Sequence, residues 1–235
     1  MTDHLHENKR IIAIGDIHGC LYSLEALIEK LELRETDQIV FLGDYIDRGK
    51  RSKAVIDYLL TFREDHDCRF LMGNHERMFL DALETGDSQL WLQNGGTIML
   101  DSYNSTDGRD IPEEHLDFVR SCSYHVESEH FFFAHGGIDP GMSIRDNLKH
   151  MKPEDFCWMR THLRSDYIAN NRYNWEKTLV CGHTPIPEPV MQEKLIAIDT
   201  GCVYTDNPSL GRLSAVVLPE RRIVQTENLD NFTNR

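Results

Sequence analysis

The sequence predicts an α/β fold in which two mixed β-sheets pack on one another as a central sandwich flanked by helices. Two observations predict it. Strand-loop-helix units follow one another in the first part of the chain, and after a polar interruption the pattern changes to strands separated by turns, with less helix between them.

Residues 10–14 (RIIAI) form a β-branched run that stops at Gly15, and Leu21, Leu24, Leu27, Ile28 and Leu31 then recur at helical spacing. This reads as strand, loop and helix. The order repeats with residues 38–42 as a buried strand, GDYIDRGK as a loop and residues 52–62 as an amphipathic helix with Ser52 as its N-cap. A third unit places a strand at 69–72 and a helix at 76–83. Such units imply a mostly parallel sheet covered by helices. Residues 101–114 (DSYNSTDGRDIPEE) are polar and rich in turn formers, as a surface connection is. Beyond them, 130–134, 178–181, 195–198 and 213–218 are strands of a second sheet, and the charged, aromatic stretch 159–176 reads as a helical excursion. The whole chain, 1–235, reads as one domain with a polar tail at 1–9 and a frayed tail at about 226–235.

Composition narrows the function. With 40% hydrophobic residues in 235, the chain can bury a full core. Its apolar runs, such as 131–134, are far shorter than the ~20 residues that span a bilayer. The opening MTDHLHENKR has neither the apolar core nor the cleavage site of a signal peptide, so a cytoplasmic location is expected, with no membrane contact. Six cysteines without a C-x-x-C pair argue against a disulfide framework or a thiolate zinc site. A formal charge of -14 opposes nucleic-acid binding and means that any phosphorylated ligand needs a local positive centre.

The chemistry lies where Asp, His and Asn fall at predicted strand ends, each beside a glycine, which is where open α/β sheets bind ligands. Asp16 and His18, two apart after the first strand, can point the same way and chelate one ion. Asp44 follows Gly43 after the second strand, Asn74 and His75 follow Gly73 after the third, and His135 and His183 end two later strands. Imidazole, carboxylate and amide oxygen without thiolate suit manganese, iron or zinc. Six such ligands exceed what one open ion needs, whereas two ions about 3.5–4 Å apart sharing one carboxylate fit the count. A lone Asp after Gly is more often a helix cap, and a His ending an apolar strand is more often a core residue. Capping, however, does not require a His two residues after the Asp, and His135 is matched by the similar setting of His183.

GDIHG, GDYIDRG, GNHE, HGG and GHT occur in that order between Gly15 and Thr184. With them the sequence resembles the calcineurin-like metallophosphoesterases, and within these the phosphoprotein phosphatase branch of small bacterial and phage enzymes. WLQNGG (91–96) and IDTGCV (198–203) look like further stretches of that family. The resemblance implies hydrolysis of phosphoserine and phosphothreonine, with phosphotyrosine and small phosphomonoesters as further substrates. It places one divalent ion on Asp16 and His18, a second on Asn74, His135 and His183, and Asp44 between them, with Mn2+ preferred over Fe or Zn. A bridging hydroxide would attack phosphorus in line, without a phosphoenzyme. His75 would protonate the leaving alkoxide, and Asp47 would orient its ring and keep it protonated. Arg48 would grip the phosphoryl oxygens, joined by Arg160 of Trp158-Met159-Arg160, with Arg164 and Arg172 as competitors for that second role.

Phosphorylated proteins are the partners this implies, met by a monomer. Met72 stands where eukaryotic catalytic subunits carry an arginine before GNHE, which puts regulatory-subunit docking in doubt. A rival branch hydrolyses symmetrical dinucleoside tetraphosphates, but it typically lacks the Asp of DRG and tends to GNHD, so Asp47 and Glu76 favour the phosphatase. A scaffold without turnover is the alternative of another class, opposed by the intact ligand set and acid. Trp91 and Trp175 read as packing residues.

Overall fold

The computed structural model describes residues 5, 6 and 8–230, whose strands form two five-stranded sheets. The first runs β10 (Arg222–Glu227), β9 (Arg212–Leu218), β1 (Ile11–Ile14), β2 (Gln38–Phe41), β3 (Asp67–Phe70). In it β1, β2 and β3 are parallel, and β9 is antiparallel to both of its neighbours. The second runs β4 (His125–Glu127), β5 (Phe131–Ala134), β6 (Thr178–Cys181), β8 (Leu195–Ala197), β7 (Val190–Met191). It is parallel through β5, β6 and β8, with antiparallel strands at both edges. Both sheets are therefore mixed.

Alternation along the strands builds three apolar layers, because successive side chains leave a strand on opposite faces. Ile11, Ala13, Val40 and Leu42 of the first sheet meet Phe131, Phe133, Val180 and Ile196 of the second inside the sandwich. Ile12, Ile14, Ile39 and Phe41 face outward onto α1 (Leu21–Leu31), α2 (Ser52–Asp65), α3 (Asn74–Thr85), α5 (Thr97–Tyr103) and α6 (Glu113–Ser121). On the far side Phe132, Ala134, Leu179 and Cys181 pack under Ile144 of α7 (Ile144–His150), Phe156, Tyr173 and Trp175. Each large side chain so buried contributes roughly 1.5–3 kcal/mol. Strands buried on both faces carry continuous apolar runs, which is why they stand out in the sequence.

Four expectations differ from the structure. Residues 226–230 are not frayed: β10 continues to Glu227, and the buried Asp230 carboxylate accepts the N–H groups of Tyr22 and Ser23 (3.1 and 2.9 Å). It thereby caps α1, whose own N-cap, Cys20, makes no side-chain cap. In the N-terminal segment Leu5 is buried and its N–H donates to the Glu127 carbonyl; residues 1–4, 7 and 231–235 lie outside the described residues. Ser52 is the first residue of α2 rather than its cap, and its hydroxyl accepts the Asp47 N–H at 3.0 Å. The stretch 159–176 holds only a 3-10 turn, Thr161–Leu163, and the short α8 (Ser165–Asn170). Among the described residues all six cysteines are free, and no helix is long and apolar enough to cross a membrane.

Candidate active site

The loops after β1, β2, β3, β5 and β6 converge at one end of the sandwich. The first two are laced by backbone bonds: the N–H groups of Ile17 and His18 donate to the Asp44 carbonyl (3.1 and 2.8 Å) and that of Gly19 to Tyr45 (2.8 Å). His18, Asp44, Asp47, Arg48 and His183 all have left-handed φ, between 46° and 69°. Such conformations cost about 1–3 kcal/mol each in non-glycine residues and persist where surrounding contacts impose them.

One contact that imposes them is Glu76, fully buried at the start of α3. Its carboxylate accepts the N–H groups of Asp44 and Tyr45 (both 2.8 Å), Ile46 (3.3 Å) and Gly73 (3.0 Å), tying the second and third loops together. Burial, reinforced by the Asp44 charge, pushes Glu76 up to about 8.

Asp16, His18, Asp44, Asn74, His135 and His183 are brought together and buried. Two groups of ligand atoms, each within 4.8 Å of one another, share Asp44: His18, Asp44 and His75 form one, and Asp44, His135 and His183 the other. Asp44 Oδ2 lies 3.4 Å from His18 Nε2, and Oδ1 lies 3.4 Å from His135 Nε2, so the carboxylate stands between both groups. Asn74 Oδ1 lies 3.0 Å from His135 Nε2, and Asp16 accepts the His183 N–H at 3.1 Å on both oxygens.

The rings are turned for metal binding. His18 and His135 each place Nδ1 2.8 Å from a carbonyl, of Ile46 and Leu42 respectively. A carbonyl only accepts, so each Nδ1 carries a proton, and on His18 the Nε2 accepts from Arg48 at 2.8 Å. His183 Nε2 and His75 Nε2 are buried without a protein partner. Burial raises Asp16 well above the ordinary carboxylate range, helped by the neighbouring Asp199 charge. His135 resists its own burial and rises to about 10 under the Asp44 and Asp16 charges. A cluster that draws a proton this strongly onto an imidazole fits divalent cations, and the thiolate-free donor set suits them.

Beside these groups His75 Nδ1 lies 2.7 Å from Asp47 Oδ2, with both side chains wholly buried. Burial pushes Asp47 up to about 8 and His75 down to about 4. Burial thus works against the charged form of both partners, and so against the expectation that Asp47 keeps the ring protonated. Trp91 does more than pack on Phe79: its indole N–H donates to Asp47 Oδ1 at 3.0 Å.

Arg48 lies 5.4 Å above the Tyr204 ring, at the mouth of a cavity of about 400 Å3 lined also by Gln93, Asn94 and Ile98. Arg160 stands on the exposed rim, its charge interacting with Asp44, Arg48, Asp16 and Tyr204. Arg164 instead pairs with the exposed Asp166 at 3.1 Å. Trp158 packs edge-on against His183, ring centroids 5.9 Å apart.

A family model described as calcineurin-like phosphoesterase matches residues 9–217. The chain belongs to the calcineurin-like phosphoesterases. This phosphoesterase is 36% identical over 217 residues to serine/threonine-protein phosphatase 2 of Escherichia coli (strain K12), covering 89% of its own length and 93% of that protein. It is 28% identical over 245 residues to the asymmetrical bis(5'-nucleosyl)-tetraphosphatase PrpE of Oceanobacillus iheyensis, covering 95% and 94%. Its fold matches a solved structure described as that of a candidate diadenosine tetraphosphatase, with a TM-score of 0.71, 22% identity and 96% of each chain covered.

Three residues of the phosphoesterase acquire site contacts that sequence reasoning did not assign. Trp91 and Glu76 hold Asp47 and Asp44, and Asp199, buried beside Asp16, accepts the Gly201 N–H at 2.8 Å. For Asp199 a signal existed: it lies just past a strand and two residues before Gly201, as Asp47 lies two residues before Gly49.

Proposed function

We propose that this phosphoesterase is a metal-dependent phosphoprotein phosphatase acting on phosphoserine and phosphothreonine, with phosphotyrosine and small phosphomonoesters as further substrates. The observation that carries the reading is the His75–Asp47 pair, whose free Nε2 opens beside the shared Asp44. Serine and threonine leave as alkoxides and need a proton, whereas a nucleotide leaves as a stable phosphate and needs one far less.

Asp16 and His18 would hold one ion, Asn74, His135 and His183 the other, and Asp44 would serve both; manganese is the preferred metal, with iron or zinc as alternatives. Bound there, two divalent ions would supply Lewis acidity for activating water and for offsetting charge on the phosphoryl oxygens. Arg48 and Arg160 clamp the phosphoryl group, for which the planar guanidinium fork is suited. His75 delivers its proton from Nε2 to the departing oxygen, and Asp47, bonded to Nδ1, orients the ring and stabilises the charged form. One chain supplies every group, so a monomer suffices. The free cysteines suit a reducing cytoplasmic setting.

A second reading, hydrolysis of dinucleoside tetraphosphates, is favoured by the similarity to proteins of that name and by the cavity beside Arg48 and Tyr204, which has room for more than a phosphate. Comparing kcat/KM on a phosphoserine peptide and on diadenosine tetraphosphate decides between them. The phosphatase reading expects the peptide to be preferred, and a strong preference for the dinucleotide overturns it. No hydrolysis of p-nitrophenyl phosphate after metal reconstitution would instead favour a silent scaffold.

A further inference from the structure

The segment WLQNGG touches the active-site loop twice, at two consecutive residues. Trp91, nearly fully buried, ends the short α4 (Gln89–Trp91) and donates its indole N–H to Asp47 Oδ1 at 3.0 Å, while Oδ2 of the same carboxylate faces His75. The chain then kinks at Gly95 (φ 113°) within Leu92–Gly96, and the Gly95 carbonyl accepts the Arg48 N–H at 3.3 Å.

Nothing larger than glycine fits the last two positions. A Cβ on Gly95 would meet the backbone and Cγ of Arg48, and one on Gly96 would meet the indole of Trp91. The residues being held are those that need holding, because Asp47 (φ 69°) and Arg48 (φ 64°) are adjacent left-handed non-glycine residues with no intrinsic preference for that turn.

We propose that Trp91 and Gly95 are positioning residues: the indole N–H fixes the Asp47 carboxylate, and so the His75 ring, for proton delivery, while the Gly95 carbonyl sets Arg48 for the phosphoryl group. A carboxylate held by one donor can rotate about its Cβ–Cγ bond and carry the imidazole with it. Held by two donors, it points Nε2 in one direction. The inference rests on the reading of His75 as acid and Arg48 as phosphate clamp.

The test is a leaving-group series of monoesters, p-nitrophenyl phosphate, phenyl phosphate and a phosphoserine peptide, assayed with manganese on the full chain. Trp91→Phe keeps a ring against Phe79 and removes the N–H. It is expected to lower kcat about tenfold, part of the 10²–10⁴ that proton transfer contributes, on phenyl phosphate and the peptide. It should barely change kcat on p-nitrophenyl phosphate, whose leaving group needs no acid, and leave KM and metal content alone. Gly95→Ala is expected to raise KM on all three. His75→Asn serves as the reference and should show the steepest leaving-group dependence. An equal loss of kcat on every substrate in Trp91→Phe, or no loss while His75→Asn is selective, overturns the positioning role. A His75→Asn enzyme with no leaving-group dependence overturns the acid reading and the inference with it. Should Trp91→Phe fail to fold, replacing the Trp91 indole by benzothiophene keeps its size, lacks the N–H and must reproduce the same pattern.

Discussion

Asp47 Oδ2 lies 2.7 Å from His75 Nδ1, and the opposite nitrogen of that ring has no protein partner. A ring anchored on one side and open on the other is suited to passing a proton. His75→Asn is therefore expected to lower kcat on a phosphoserine peptide by about 10²–10⁴-fold while keeping the wild-type metal content. Metal analysis beside steady-state kinetics checks this, and loss of metal would make His75 a ligand.

Asp44 presents one oxygen to His18 and the other to His135, each at 3.4 Å. Asp44→Asn keeps the shape but removes the charge both groups share. Both ions are expected to bind at least about tenfold more weakly, measured by competition with a chelator. Weakening at one ion alone would contradict the shared role.

Asp230 reaches across the fold to cap α1 and to meet Arg51 at 3.2 Å. Asp230→Ala leaves those N–H groups unsatisfied, at about 2 kcal/mol. A Tm lower by about 4–8 °C is expected, with kcat retained, because the cap touches no group of the site. Thermal denaturation checks it.

Asp37 contributes to the acid sensitivity of the fold. Burial would raise its carboxyl, but the hydrogen bonds from Arg10 (2.9 Å) and the Arg34 N–H (2.8 Å), with their charges, outweigh it and hold the carboxyl below its ordinary value. A group depressed on folding contributes stability above its unfolded pKa, about 3.9, and loses it as pH falls through the lower folded value. Melting curves should therefore drop on acidification below about pH 4. Asp37→Asn is expected to be less stable at neutral pH and to show a shallower acid decline.

Legibility in the sequence followed the chemistry. Asp16, His18, Asp44, Asn74, His135 and His183 stand at strand ends beside glycine, and strands buried on both faces announce themselves as apolar runs, so the fold class and the residues that converge were readable. Edges were less so: the third strand covers 67–70 rather than 69–72, because pairing with β2 sets its register and periodicity does not. Partnerships between distant side chains were invisible. Nothing local in Ser23 or Asp230 signals a contact 207 residues apart, and Trp91 looked like packing because its N–H partner, Asp47, comes from another loop.

The most direct test is metal titration of purified, metal-stripped protein, following bound manganese and phosphatase activity together. The account predicts two ions per chain, with hydrolysis of a phosphoserine peptide requiring both. Full activity with one ion bound, or two ions bound without hydrolysis, would contradict it.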